Sequence, residues 1–192
     1  MNDRALVQIV DLAMAGAERR SGEWIACRPG CTECCIGAFA ISRLDAWRLR
    51  RGLADLEERD PERARRVLER ARDWSLRLAP EFPGDAATGL LDESAEAQAR
   101  FDEFAGEEPC PALDPQAGTC DLYASRPLTC RIFGPAVRLG EDAVGACELC
   151  YRGASDEEIA ACAVTVDADA LEAELAPGMS GGKTVVAFAL LR

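Results

Sequence analysis

Apolar residues recur at helical spacing in the first stretch of the chain. Leu6, Ile9, Val10, Ala13 and Ala17 fall on one face between Asp3 and Arg20, and Gly22 lies just beyond. The pattern then breaks. Residues 24 to 40 hold Pro29, Gly30 and four cysteines and read as an irregular loop. Ser42 opens a second helix with Asp45 three residues on, as in a capping box, and Leu44, Trp47, Leu49, Leu53 and Leu56 form its apolar side. Asp60-Pro61 is a fresh N-cap with proline at the first helical position. The third helix carries Val67, Leu68, Ala71, Trp74 and Leu78 inward and stops at Pro80. Glu62–Arg66 and Asp73–Arg77 are spaced as i,i+4 ion pairs along it.

Beyond Pro80 the signals shorten. A short helix is expected over 93–104, mostly loop over 106–145, and helices over 156–164 and 167–175. The apolar tail 184–191 reads as either a strand or a last helical turn. The expected fold class is mainly α: helices around an irregular cysteine-lined centre, with little or no sheet. A length of 192 residues predicts one domain spanning 1–192. Within it, 24–40 and 106–155 are cysteine-rich loops and 41–105 is a helical insertion.

Charge narrows the partners. Lys and Arg number 22 against 34 Asp and Glu, a formal net charge of −12. Such a balance speaks against nucleic acid or an anionic membrane as a partner. Residues 43–77 run the other way, with eleven arginines against eight acids. The alternation of sign there reads as a salt-laced solvated face rather than a docking surface. Asp3 and Asp11 interrupt the N-terminal apolar pattern, so residues 1–20 read as helix rather than signal peptide. No apolar run approaches the ~20 residues a bilayer span needs. The expected location is cytoplasmic.

Ten cysteines and no histidine change the picture most. Without histidine no Ser-His or Cys-His catalytic pair exists, and any metal must be held by sulfur, carboxylate or water. In a reducing compartment, clustered cysteines point to metal or redox chemistry rather than to disulfides. Cys31-x2-Cys34 and Cys147-x2-Cys150 have knuckle spacing, which returns a second sulfur to the same metal. Cys34 and Cys35 are adjacent. Neighbouring side chains usually diverge, so one of them is expected at a second site, unless both flank a multinuclear centre. Ten sulfurs suffice for two four-sulfur sites with two left over. A metal held by four thiolates carries net negative charge, and Arg28, Arg126 and Arg131 are placed to compensate it.

The order of these motifs resembles a known family. Cys27-Arg-Pro-Gly-Cys31-Thr-Glu-Cys34-Cys35 is followed by Cys110-Pro-Ala-Leu, Gly118-Thr-Cys120-Asp-Leu-Tyr123 and Ser125-Arg126-Pro127-Leu-Thr-Cys130-Arg131-Ile-Phe133. This resembles the bacterial YkgJ-type cysteine-cluster family, the CxxCxxCC domain associated with zinc or iron chelation. The first gap here is three residues rather than two. The resemblance implies eight metal-site cysteines: Cys27, Cys31, Cys34, Cys35, Cys110, Cys120, Cys130 and one of Cys150 or Cys147. Cys162 falls in a helical apolar pattern and reads as a small core residue.

Gly178 to Thr184 lacks the Walker spacing, because Pro177 stands where a glycine is required. No βαβ context supports a thioredoxin-like dithiol. The sequence therefore predicts a metal-binding protein with an all-cysteine zinc or iron centre, the iron as single ion or iron–sulfur cluster. Its role is expected in metal handling or as a metal-stabilised scaffold for a protein partner. The alternative is an iron–sulfur redox protein or metal-dependent oxidoreductase; no catalytic residue is singled out.

Overall fold

In the computed structural model, residues 2–139, 143–179 and 181–192 are described. In chain order the elements are α1 (Asp3–Ser21), β1 (Ile41–Ser42), α2 (Arg43–Arg59), α3 (Pro61–Leu78), β2 (Gly84–Asp85), β3 (Leu90–Leu91) and α4 (Ala95–Glu103). Then follow β4 (Leu113–Asp114), β5 (Thr119–Cys120), α5 (Leu128–Ile132), β6 (Val137–Leu139) and β7 (Ala143–Gly145). The last are α6 (Asp156–Cys162), α7 (Ala168–Leu175), β8 (Lys183–Thr184) and α8 (Val186–Leu190). The fold is mainly α. Strands of two or three residues pair as β1–β8, β2–β3, β4–β5 and β6–β7, all antiparallel.

The chain forms two compact units, each made of two segments: Met1–Cys31 with Leu128–Met179, and Thr32–Pro127 with Ser180–Arg192.

In the first unit α1 packs on α5, α6 and α7. Asn2 caps α1 through its side chain. Leu6, Val10, Met14 and Ala17 are its buried line. Ile9, expected in that line, is 44 % exposed, because the buried residues run mostly four apart and carry the stripe past it. Tyr151 anchors the cysteine-bearing segment although its φ is +56°. Ser21 Oγ donates to the Ala17 carbonyl at 2.7 Å, so the Tyr151 hydroxyl donates to Ser21 at 2.6 Å while accepting from Ala136 N at 2.9 Å. Three hydrogen bonds through two buried hydroxyls, Ser21 and Tyr151, hold a backbone conformation that β-carbons disfavour.

In the second unit α2, α3 and α8 pack on one another. Caps form as the sequence predicts. Ser42 accepts from Asp45 N at 3.1 Å and Asp60 accepts from Arg63 N at 3.0 Å. The apolar tail resolves into both alternatives, Thr184 in β8 and then α8, with every residue from Val186 to Leu190 buried. Phe188 is 2 % exposed and lies against Phe82 and Trp74, with ring centroids at 4.7 and 6.3 Å. Trp47 is only partly buried and carries the Arg51 guanidinium at 5.6 Å, so of the second unit's two tryptophans only Trp74 is a core residue. Gly52 on α2 admits Ser125. A β-carbon there would lie 2.2 Å from Ser125 Oγ, which explains a glycine in mid-helix.

The arginine-rich stretch is not uniformly solvated. Asp121 has a side chain 1 % exposed, and both Arg63 and Arg70 bond it, Arg70 Nη2 at 2.5 Å. Arg70 Nε also donates to the Pro111 carbonyl at 2.8 Å. Arg77 forms a bidentate pair with Glu108 at 2.9 and 2.7 Å rather than the helical pair with Asp73. A planar fork meeting a carboxylate outweighs a single i,i+4 contact. The Glu62–Arg66 pair forms at 3.6 Å.

Among the described residues, no helix is long and apolar enough to cross a membrane.

Candidate metal centre

All ten cysteines are free thiols, Cys147, Cys150 and Cys162 buried, Cys27 exposed and the rest between. The loop 24–40 is divided between the units. Cys27 and Cys31 belong to the first with Cys130, Cys147, Cys150 and Cys162, and Cys34, Cys35, Cys110 and Cys120 to the second.

In the first unit, the three-residue gap between Cys27 and Cys31 is a turn. Cys31 N donates to the Arg28 carbonyl at 2.9 Å, and Gly30 takes φ +91° after Pro29. Pro-Gly at the centre suits a turn that needs a positive φ at its third residue. The second segment makes a tight knuckle. Cys150 N donates to the Cys147 carbonyl at 2.9 Å, and the amides of Leu149 and Cys150 are directed at the Cys147 sulfur. Two backbone bonds tie the segment down, Cys147 N to the Gly134 carbonyl at 3.1 Å and Tyr151 N to the Trp24 carbonyl at 2.9 Å.

Ala26 N then donates to Cys150 Sγ at 3.5 Å, and the Cys27 thiol donates to the same sulfur. Although Cys27 as a residue is exposed, partial desolvation of its sulfur, then Cys150, Cys31 and Cys147, push the thiol up to about 12. Gly134 makes room: a β-carbon there would stand 2.7 Å from Cys27 Sγ, and its φ is +119°. Cys147, Cys150 and Cys162 also belong to one apolar cluster with Ala136 and Tyr151. Cys162 sits on α6 as the core residue its spacing predicts, and Cys130 lies on α5, half-buried.

In the second unit, a single 3-10 turn, Glu33–Cys35, carries the adjacent pair. Backbone bonds join it to the next cysteine segment. Cys110 N donates to the Cys35 carbonyl at 2.7 Å and Gly37 N to the Glu108 carbonyl at 2.9 Å. The β4–β5 hairpin sets Leu113 opposite Cys120, and Asp121 N donates to the Ala112 carbonyl at 2.7 Å, so the chain returns Cys120 toward Cys110. The amides of Ala112 and Leu113 are directed at the Cys110 sulfur, and that of Leu122 at the Cys120 sulfur.

Cys34 and Cys35 do not diverge. Their sulfurs share a hydrogen bond, with Cys34 as the accepting thiolate, which a turn of 3-10 geometry permits and an extended chain would not. That bond, together with the Arg126 charge, lowers Cys34 to about 6. Cys35 is pushed up by the same bond, by burial and by Cys34, Cys110 and Cys120. Burial pushes Cys110 up to about 12 and raises Cys120.

Of the three arginines expected to compensate thiolate charge, Arg126 acts on Cys34 and Cys120 and stacks on Tyr123 at 4.1 Å. Arg131 pairs with Asp11 at 3.0 and 2.9 Å, and Arg28 is exposed. The sequence reading missed Asp121 with Arg63 and Arg70, next to Cys120, and Gly134 beside Cys27. An acid following a cysteine and opposite an arginine-rich helix was the available signal for the first.

The chemistry of the donor set fits a soft or borderline cation. Thiols with no imidazole suit zinc or iron, and amides directed at sulfur stabilise thiolate over thiol. Among the described residues, no three Cys, Asp or Glu side chains form a finished metal shell. No curated protein and no solved structure matches the chain. The model of one family matches residues 26–162, and its description is "CxxCxxCC: Putative zinc- or iron-chelating domain". That match takes in all ten cysteines and most of the chain, so the protein belongs to the CxxCxxCC family and is a metal-binding protein of that class.

Proposed function

We propose that the protein holds zinc or iron on cysteine thiolates in a reducing, cytoplasmic setting. The ion cross-links the loops that carry the cysteines. Its use is to handle metal or to present a metal-stabilised surface to a protein partner. The observation that carries this reading is the Ala26 N–H donated to Cys150 Sγ at 3.5 Å, joined by backbone N–H groups near the Cys110, Cys120 and Cys147 sulfurs. Such donors cost little for a thiol and gain strength when the sulfur ionises, so their use here favours thiolate ligands. Candidate ligands are Cys27, Cys31, Cys34, Cys35, Cys110, Cys120, Cys130, Cys147 and Cys150.

The mechanism asked of the chain is modest. Turns place the sulfurs, the amides and Arg126 lower the cost of negative charge, and each thiol yields its proton as the ion enters. Bound zinc would supply a redox-inert cross-link; iron would add electron transfer. The adjacent, mutually bonded sulfurs of Cys34 and Cys35 favour the second reading, an iron–sulfur or other multinuclear centre with a redox role.

Elemental analysis, acid-labile sulfide and an absorption spectrum on protein purified without oxygen decide the matter. Colourless protein with zinc supports the structural reading, and brown protein with iron and sulfide supports the redox one. Protein that carries neither metal and takes up neither when both are supplied would overturn the proposal.

A further inference from the structure

The cysteines divide between the two units. Around Cys27, Cys34, Cys35, Cys110, Cys120 and Cys147, the sulfur neighbours come from the same unit. Cys27 answers to Cys150, Cys31 and Cys147, and Cys147 to Cys150 and Cys31. Cys35 answers to Cys34, Cys110 and Cys120, while Cys110 answers to Cys120 and Cys34. We infer that the chain carries two four-thiolate metal sites, Cys27–Cys31–Cys147–Cys150 in the first unit and Cys34–Cys35–Cys110–Cys120 in the second.

Three further observations are independent of those neighbour lists. The first is backbone construction. Each set is assembled by its own hydrogen bonds, Cys147 N to Gly134 O and Ala26 N to Cys150 Sγ in one, Cys110 N to Cys35 O and the β4–β5 hairpin in the other. The second is packing. Cys147 and Cys150 are part of the apolar cluster with Ala136, Tyr151 and Cys162, whereas Cys110 and Cys120 pack against the cluster of α2, α3 and α8. The third is the missing β-carbon at Gly134, which leaves space beside Cys27 Sγ in the first set.

The assignment differs from what the family resemblance implies. It places both Cys147 and Cys150 in one shell instead of choosing between them, it puts Cys147 and Cys150 where the resemblance has Cys130 and one of them, and it breaks the run Cys31-x2-Cys34 between two sites despite its knuckle spacing. Each site takes a soft or borderline divalent ion in tetrahedral sulfur coordination. The sets differ in kind. The first combines a Pro-Gly turn with a knuckle whose two cysteines are buried. The second contains a vicinal dithiol on one helical turn, with the Arg126 charge acting on it.

The inference rests on the thiolate-metal reading above, and the test separates the two. Full-length chain is stripped of metal under reducing, oxygen-free conditions and titrated with Co²⁺, whose visible bands report tetrahedral sulfur coordination. The wild type should take two equivalents. Cys147→Ser with Cys150→Ser should take one, Cys110→Ser with Cys120→Ser should take one, and the four together none. Should a double variant lose its circular dichroism, the single Cys147→Ser and Cys110→Ser substitutions serve: each should weaken one of two binding phases at least tenfold and leave the other within twofold. A wild type that takes a single equivalent, or a folded variant in which one pair of substitutions abolishes both phases, overturns the two-site assignment and leaves the thiolate reading standing. A wild type that binds no cobalt, zinc or iron overturns both.

Discussion

Asp121 accepts from Arg70 Nη2 at 2.5 Å and follows Cys120 directly in the chain, so one buried carboxylate ties α3 to a cysteine-bearing hairpin. Breaking a buried pair from one side leaves charge without compensation. Asp121→Asn should therefore cost on the order of 2 kcal/mol, less than a fully buried pair because Arg63 and Arg70 remain partly exposed. Urea unfolding followed by circular dichroism measures it. An unchanged midpoint would show that the two arginines reach solvent freely once released.

Gly134→Ala should be harmful for two reasons. The new β-carbon meets Cys27 Sγ at 2.7 Å, and φ is +119°. Together these should cost about 1 to 3 kcal/mol. Cobalt affinity should fall in the same variant, because Cys27 must move. A variant as stable as the wild type, with unaltered metal uptake, would mean that the loop shifts at no cost.

Gly52→Ala tests a reversal of sign. In an exposed helix the change should stabilise by roughly 1 kcal/mol. Here the β-carbon would lie 2.2 Å from Ser125 Oγ and 2.4 Å from Ser125 Cβ, so overpacking of about 1 to 3 kcal/mol should prevail. Adding Ser125→Gly should recover much of the loss, and the thermal midpoints of the single and double variants provide the check.

Metal loading should release protons, with a stated dependence on pH. Cys27, Cys35, Cys110, Cys120 and Cys147 all have raised values, so each is protonated at neutral pH and must give up its proton to an entering ion. Affinity therefore falls as pH falls. Cys34, at about 6, is already ionised at pH 7 and joins the protons to be displaced only below that value. The pH dependence should steepen by about one proton below pH ~6. Arg126→Gln should move that break upward. Calorimetry in buffers of different ionisation enthalpy counts the protons directly.

The long helices were legible because period and caps agreed, as at Ser42, Asp60 and Pro61. The hairpins were not: strands of two or three residues carry no alternation to read, and their registers depend on turns such as the one Asp114 holds by accepting from Gln116 N at 2.9 Å. The positions of the candidate ligands could be read from spacing, but their grouping could not. Cys31 and Cys34 have knuckle spacing yet fall in different units, and Cys34 and Cys35 converge where adjacent side chains were expected to part. Both outcomes depend on backbone bonds from Gly134, Glu108 and Cys110, residues remote in sequence. The arginine-rich stretch is largely the salt-laced exposed face its charge pattern predicts, except at Arg63 and Arg70, which are drawn inward by Asp121, dozens of residues away in sequence.

The two units are interleaved along the chain: the first opens with residues 1–31 and resumes at Leu128, and the second resumes only after Met179. Vectorial synthesis cannot finish either in a single pass. While a ribosome is still making α5 to α7, α2 and α3 lack α8, and Phe188 is not there to fill the space beside Trp74 and Phe82. During that interval Cys34, Cys35, Cys110 and Cys120 have all been made but their unit has no closing helix. The nascent chain thus passes through a stage in which reactive sulfur is exposed beside an open apolar surface, where oxidation and aggregation compete with folding. Slow translation or an oxidising milieu should harm this protein more at birth than after it has folded.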